Sequence, residues 1–65
     1  MIYEVKKDDV TFEIDDTVLL IDQPIEFQKV FDENLNENNV AEFDNAILVL
    51  TIFGRVLINK IENNG

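Results

Sequence analysis

Residues 46–61, AILVLTIFGRVLINKI, are an almost unbroken apolar run in a chain of only 65 residues that carries a net charge of −9. Ile47, Val49, Ile52, Val56, Ile58 and Ile61 are β-branched, which favours extended over helical backbone. Gly54-Arg55 divides the run, and a glycine in the first position of a two-residue loop suits a type II′ hairpin turn. The expectation is two antiparallel strands, 46–53 and 56–61. Alternation along the first puts Ile47, Val49 and Phe53 on one side and Leu48, Leu50 and Ile52 on the other. Only Asn59 and Lys60 interrupt the second. A strand that is apolar on both faces has to be covered on both.

The remainder of the chain has few means of supplying that cover. "IYEVK" (2–6) sets Tyr3 and Val5 against Glu4 and Lys6, and "VTFEID" (10–15) sets Val10, Phe12 and Ile14 against Thr11, Glu13 and Asp15. Both show the period-two alternation of half-buried strands. "KKDD" and "DDT" read as turns and "VLLI" (18–21) as a short third strand, which makes an antiparallel meander. With Asp22 or Gln23 as its cap, Pro24 opens a helix that has Glu26 in its first turn. Phe27, Val30, Phe31 and Leu35 fall at i, i+3, i+4 and i+8, one face of an amphipathic helix. Asn34, Asn36, Asn38 and Asn39 are poor helix formers and end it near residue 35. "NNVAEFDN" is expected to add one helical turn, capped by Asn39, that directs Val40 and Phe43 inward.

The fold expected is therefore α+β: a small antiparallel sheet of about five strands, in the order β-β-β-α-β-β, with one helix packed on it. It forms a single domain over 1–62, with a frayed tail at 63–65. Phe27, Phe31, Leu50 and Ile52 are the expected core. One short helix covers only one face of the hairpin. Either the sheet curls into a small barrel-like roll, or a second chain lies against Ile47, Val49, Phe53, Val56 and Ile58. So short a chain favours the second arrangement, a homo-oligomer.

The residues that are missing restrict the chemistry. There is no Cys and no His. Disulfides and thiolate metal sites are ruled out, and with them go the commonest metal ligand and the side chain that titrates near neutral pH. Nucleophilic catalysis would have to rest on Thr11, Thr17, Thr51, Tyr3 or a lysine, with no imidazole as base. Paired carboxylates would need a water-excluding cleft, which so small a domain rarely encloses. The expectation is a protein that is not an enzyme and takes no cofactor and no metal. Asp8-Asp9 and Asp15-Asp16 fall at opposite ends of the meander and outside any calcium-loop spacing, so they read as turn formers. The N-terminus has no signal-peptide pattern, and the apolar stretch 46–53 is far below the ~20 residues of a spanning helix. Negative charge opposes direct contact with nucleic acid or anionic lipid. A cytoplasmic protein away from membranes is expected.

Charge is distributed unevenly. No basic residue lies between Lys29 and Arg55, an interval that holds Asp32, Glu33, Glu37, Glu42 and Asp44. Asp32 and Glu33 fall in the last turn of the expected helix, where the backbone dipole favours cations by a few tenths of a kcal/mol. Solubility alone accounts for a solvated acidic face. A partner-binding surface accounts in addition for its local cost. Carboxylates can occupy bidentate arginine sites that would otherwise take phosphates. By analogy of size and charge, the function expected is that of a phage or mobile-element inhibitor. Its five carboxylates would occupy the basic, nucleic-acid-binding surface of a bacterial target such as a nucleic-acid-processing enzyme, with Arg55 at the hairpin tip as a further contact. The alternative is a homo-oligomeric assembly module joined through the C-terminal hairpin.

Overall fold

The computed structural model describes residues 1–61. Strands β1 (Ile2–Lys7) and β2 (Val10–Asp15) form a hairpin in the register Ile2↔Asp15 to Lys7↔Val10. Its two loop residues, Asp8 and Asp9, have φ of 48° and 69°. Two positive φ values belong to a type I′ turn, whose twist matches that of the flanking strands, and Asp tolerates this region better than most residues. Val5, Phe12 and Ile14 are buried on the inner face, while Glu4, Lys6, Thr11 and Glu13 are exposed on the outer one. The alternation read from the sequence is the alternation in the fold.

Residues 18–21 do not form a third strand. Leu19 makes one isolated bridge to Arg55, and Leu20–Asp22 is a single 3₁₀ turn. Gln23 is the physical reason. It is buried, and its Nε2 donates to the carbonyls of Asp15 at 2.6 Å and Val18 at 3.3 Å, which folds the chain back over the end of β2. Helix α1 (Ile25–Asn34) then starts one residue later than expected, with Pro24 as its N-cap and no side-chain cap. A missing N–H costs nothing there. Phe27 and Phe31 are buried, and Val30 and Leu35 pack partly against the core.

The segment after the helix is strand β3 (Val40–Glu42), where one helical turn was expected. Asn36 causes the difference. Its Oδ1 accepts the N–H of Asn38 at 2.8 Å and of Val40 at 3.1 Å, and its own N–H donates to the Val40 carbonyl at 2.9 Å. With Asn39 at φ 62°, this turn sends the chain back in extended form. Phe43 is buried as expected, but Ala41 takes the inward place expected of Val40.

Strands β4 (Ala46–Leu50) and β5 (Val56–Lys60) are shorter than the sequence suggested. Their register, Leu50↔Val56, leaves Thr51 and Arg55 to close a three-residue loop of Ile52, Phe53 and Gly54. Gly54 is the third loop residue, at φ 84°, so the loop follows the three-residue hairpin pattern with glycine in the left-handed region. Ile52, expected in the core, is 95% exposed because the strand has ended two residues before it.

The architecture is α+β, but the strands make two sheets, β1-β2 and β3-β4-β5, where one five-stranded sheet was expected. Asn45 links them. Its Nδ2 donates to the Glu4 carbonyl at 2.9 Å and its Oδ1 accepts the Lys6 N–H at 2.8 Å, while its carbonyl accepts the N–H of Ile61 at 3.0 Å. The core closes around Phe27, whose ring lies 5.9 Å from Phe12, 5.7 Å from Phe31 and 5.8 Å from Phe43. One ring thus joins β2, α1 and the segment after β3. The expected fray at 63–65 lies outside the described residues.

Candidate binding surfaces

The five carboxylates between residues 32 and 44 are placed by different elements. Asp32 and Glu33 are exposed in the last turn of α1, which holds no basic residue. Glu37 is exposed in the turn after the helix, and Glu42 lies on the outer face of the three-stranded sheet, opposite Ile47. Asp44 accepts the N–H of Asp8 through Oδ2 at 3.0 Å, so it supports the β1–β2 turn. Glu33 and Asp8 line one depression of about 330 Å³, walled also by Lys7, Val10, Phe12, Val30 and Asn34. The structure therefore gathers Glu33 and Asp44 with Asp8 and Asp9 at one end of the molecule. Sequence reasoning set Asp8-Asp9 aside as turn formers, and the signal that joins them to Asp44 is a contact across 36 positions.

The acids are largely uncommitted. Among the described residues, no lysine or arginine side chain comes within 4.0 Å of a carboxylate, and the only ion pairs are those of the Met1 ammonium with Asp15 and Asp16. Asp15, Asp16 and Asp44 alone among the described carboxylates accept hydrogen bonds. The Thr17 hydroxyl, donating to Asp15 at 2.7 Å, and the Thr17 N–H, at 2.9 Å, hold the Asp15 carboxyl below its ordinary range. The hydrogen bond to Asp16, ahead of its other causes, raises the Met1 ammonium. Glu4 and Glu13 stand directly opposite each other across β1 and β2. Like charges in that position destabilise a sheet.

The apolar residues divide between core and surface in a way that the sequence did not show. Val56 faces inward and is buried, and Ile58 packs on the margin of the core. Neither offers the open surface expected of an interface residue. The outer face of β3-β4-β5 carries Val40, Ile47, Val49 and Leu57, framed by Glu42 and Asn59. Ile47 and Leu57 are exposed and Val49 is half-buried. The most exposed large apolar side chains are elsewhere: Ile52 and Phe53 at the hairpin tip, Ile21 and Ile25 around the start of α1, and Met1 at the N-terminus.

The tip is held firmly. The Thr51 N–H donates to the Arg55 carbonyl at 2.8 Å, the Gly54 N–H to the Thr51 carbonyl at 3.0 Å, and the Arg55 N–H to the Thr51 hydroxyl at 3.2 Å. The Leu20 N–H donates to the Gly54 carbonyl at 2.8 Å, which seats residues 19–21 beside the loop. Arg55 is exposed here, at the far end of β4 and β5 from Asp44. Five strand residues separate those ends by roughly 17 Å.

No helix among the described residues is long and apolar enough to cross a membrane. Comparison with known protein families, with curated proteins and with solved structures finds no match to this chain.

Proposed function

We propose that this protein is an acidic binding protein that acts by occupying a basic surface of another protein, in the manner of a phage or mobile-element inhibitor that stands in for nucleic acid. One observation carries the reading. A chain of net charge −9 leaves its lysines and arginine unpaired with carboxylates among the described residues, so almost every acid is free to meet a foreign cation. Such groups favour encounter with an arginine-rich groove and fit its bidentate sites. Asp32, Glu33, Glu37, Glu42 and Asp44 are the proposed contacts, with Asp44 also supporting the adjacent turn.

The test is a pull-down from a bacterial lysate at low and at high salt. Nucleic-acid-processing enzymes should be retained at low salt and released as exposed charges are screened over ~10 Å at about 0.1 M. Reversing Glu33, Glu37 and Glu42 to Lys should abolish their capture, while reversing Glu4 and Glu13 should leave most of it. Full capture after the first reversal would refute the site, and equal losses in both would reduce it to net charge alone.

A second reading is self-association through the C-terminal hairpin. What favours it is the tip, where Ile52 is 95% and Phe53 78% exposed on a loop closed by its own hydrogen bonds.

A further inference from the structure

We propose that a second copy of this chain covers the apolar end, the two copies packing tip to tip about a two-fold axis. The proposal rests on the self-association reading and extends its tip into a larger surface, assembled from two segments far apart in the sequence. Leu19 bridges to Arg55, and the Leu20 N–H binds the Gly54 carbonyl at 2.8 Å. The Leu19 side chain reaches within 3.7 Å of where a Cβ on Gly54 would stand. Gln28 in turn donates to the Ile21 carbonyl at 3.2 Å, which ties the start of α1 to the same end. Leu19, Ile21, Ile25, Ile52 and Phe53 thus converge from three elements, and all five are exposed.

Turn tips ordinarily carry Gly, Asn, Asp, Ser or Pro, so Ile and Phe at this one need a reason. The loop is not loose. Its hydrogen bonds fix it before any encounter, which lowers the entropy lost when Phe53 is buried. Rigid aromatic and aliphatic anchors of this kind dominate interface energetics.

Area and charge identify the occupant. The five residues, exposed by 38% at Leu19 to 95% at Ile52, leave uncovered most of the ~800 Å² that a stable interface buries on each partner. A patch of that size lies at the upper end for a monomer. A chain of net charge −9 resists meeting itself, but the tip-to-tip arrangement keeps Asp8, Asp9 and Asp44 of both copies at the remote ends and leaves Asp22 and Glu26 as the exposed acids beside the patch. The chain's sole arginine, Arg55, has no carboxylate within 4.0 Å among the described residues, and Asp22 is exposed beside the same patch. A two-fold axis brings Arg55 of each copy to Asp22 of the other, so the contact is satisfied twice by a self-complementary surface.

The experiment is sedimentation equilibrium of the wild-type protein and of the double variant Ile52→Asn, Phe53→Asn. Both substitutions are neutral and suited to a turn, so net charge is unaltered. The wild type should move from the 7.5 kDa monomer to twice that mass through the micromolar range. The variant should dimerise roughly a hundredfold more weakly, as the loss of two anchor residues implies. Its circular dichroism and thermal unfolding as a monomer should match the wild type, which separates a lost interface from a lost fold. Raising salt from roughly 0.05 to roughly 0.5 M should leave the wild-type dimer assembled, because its apolar contact is not screened, whereas the acidic-surface complex should be released. A wild type that stays monomeric at every concentration overturns the proposal. So does a variant that dimerises as well as the wild type, because another surface is then responsible. Lysate partners retained by the variant leave the acidic-surface reading standing whichever way the dimer test falls.

Discussion

Asn45 holds the open edge of β1 against the three-stranded sheet, so Asn45→Ala measures how much stability depends on joining the two. The substitution removes the hydrogen bond to the Glu4 carbonyl at 2.9 Å and the one from the Lys6 N–H at 2.8 Å. Each contributes about 1 kcal/mol net. The edge is accessible to water, so the freed groups are solvated and the larger penalty of a buried unpaired group does not arise. The expected cost is about 1–2 kcal/mol. A domain this size has roughly 3–10 kcal/mol in all, and each kcal/mol moves its Tm by about 4–8 °C, so the fall should be about 5–15 °C. Asn45→Asp keeps an acceptor for the Lys6 N–H but sets a carboxylate oxygen against the Glu4 carbonyl and adds charge to an already acidic chain. At low salt it should be at least as harmful as Ala. Urea denaturation gives the free energy, and amide hydrogen exchange locates the change. Lys6 should lose protection while Val5, whose N–H points to β2, keeps it. An Ala variant with unchanged stability and a protected Lys6 amide would show that the aromatic core and the hydrogen bonds of Asp44 to Lys6 and Asp8 hold the sheets together without Asn45.

Two further substitutions test the core and one carboxylate. Phe27→Ala removes the ring that meets Phe12, Phe31 and Phe43, and should cost about 3–5 kcal/mol, enough to abolish the thermal transition of a marginal domain. Phe31→Ala, which loses its contact with the Phe27 ring, should cost less, and the reverse order in urea denaturation would remove Phe27 from the centre of the core. Thr17→Val deletes the hydroxyl that is the largest cause of the lowered Asp15 pKa, so Asp15 should titrate at higher pH by NMR. Because that pKa is depressed by folding, Asp15 stabilises the fold above the ordinary carboxylate range and ceases to do so as pH falls through its lowered value. Loss of Thr17 should therefore move acid unfolding to higher pH, and an unmoved Asp15 titration would discount the hydroxyl.

What was legible in the sequence was whatever one wet face made legible. β1 and β2 alternate because water lies on one side, and the helix face follows from Phe27, Val30, Phe31 and Leu35 for the same reason. The segments that went astray are those whose conformation is decided by a particular side-chain hydrogen bond, which hydropathy patterning does not register. "VLLI" has the composition of a strand, but Gln23 bonds to Asp15 and Val18 and turns it into a bridge and a 3₁₀ turn. The asparagine-rich run was read as the end of a helix, which it is, yet Asn36 also builds the turn that sends β3 back to pair with β4. Asn45 carries no local signal for linking two sheets, since its partners are 39 and 41 positions away.

The hairpin shows how one error in loop length spreads into a surface. A two-residue loop at Gly54-Arg55 would pair Phe53 with Val56, whereas the three-residue loop pairs Leu50 with Val56. The two registers differ by an odd number of residues, and an odd slip sends every side chain of one strand to the opposite face. Val56 and Ile58, expected beside Ile47 and Val49, therefore turn inward beside Leu48 and Leu50. No polar alternation in β4 or β5 could have exposed the slip, because both faces are apolar. The longer loop also moves Ile52 and Phe53 out of the strand and into solvent, on a loop whose Gly54 carbonyl accepts the Leu20 N–H. The demand for a second cover, inferred first for a sheet face, thus passes largely to the end of the hairpin. There it is separated along β4 and β5 from the acidic end at Asp8 and Asp44, so a variant of either end leaves the chemistry of the other intact.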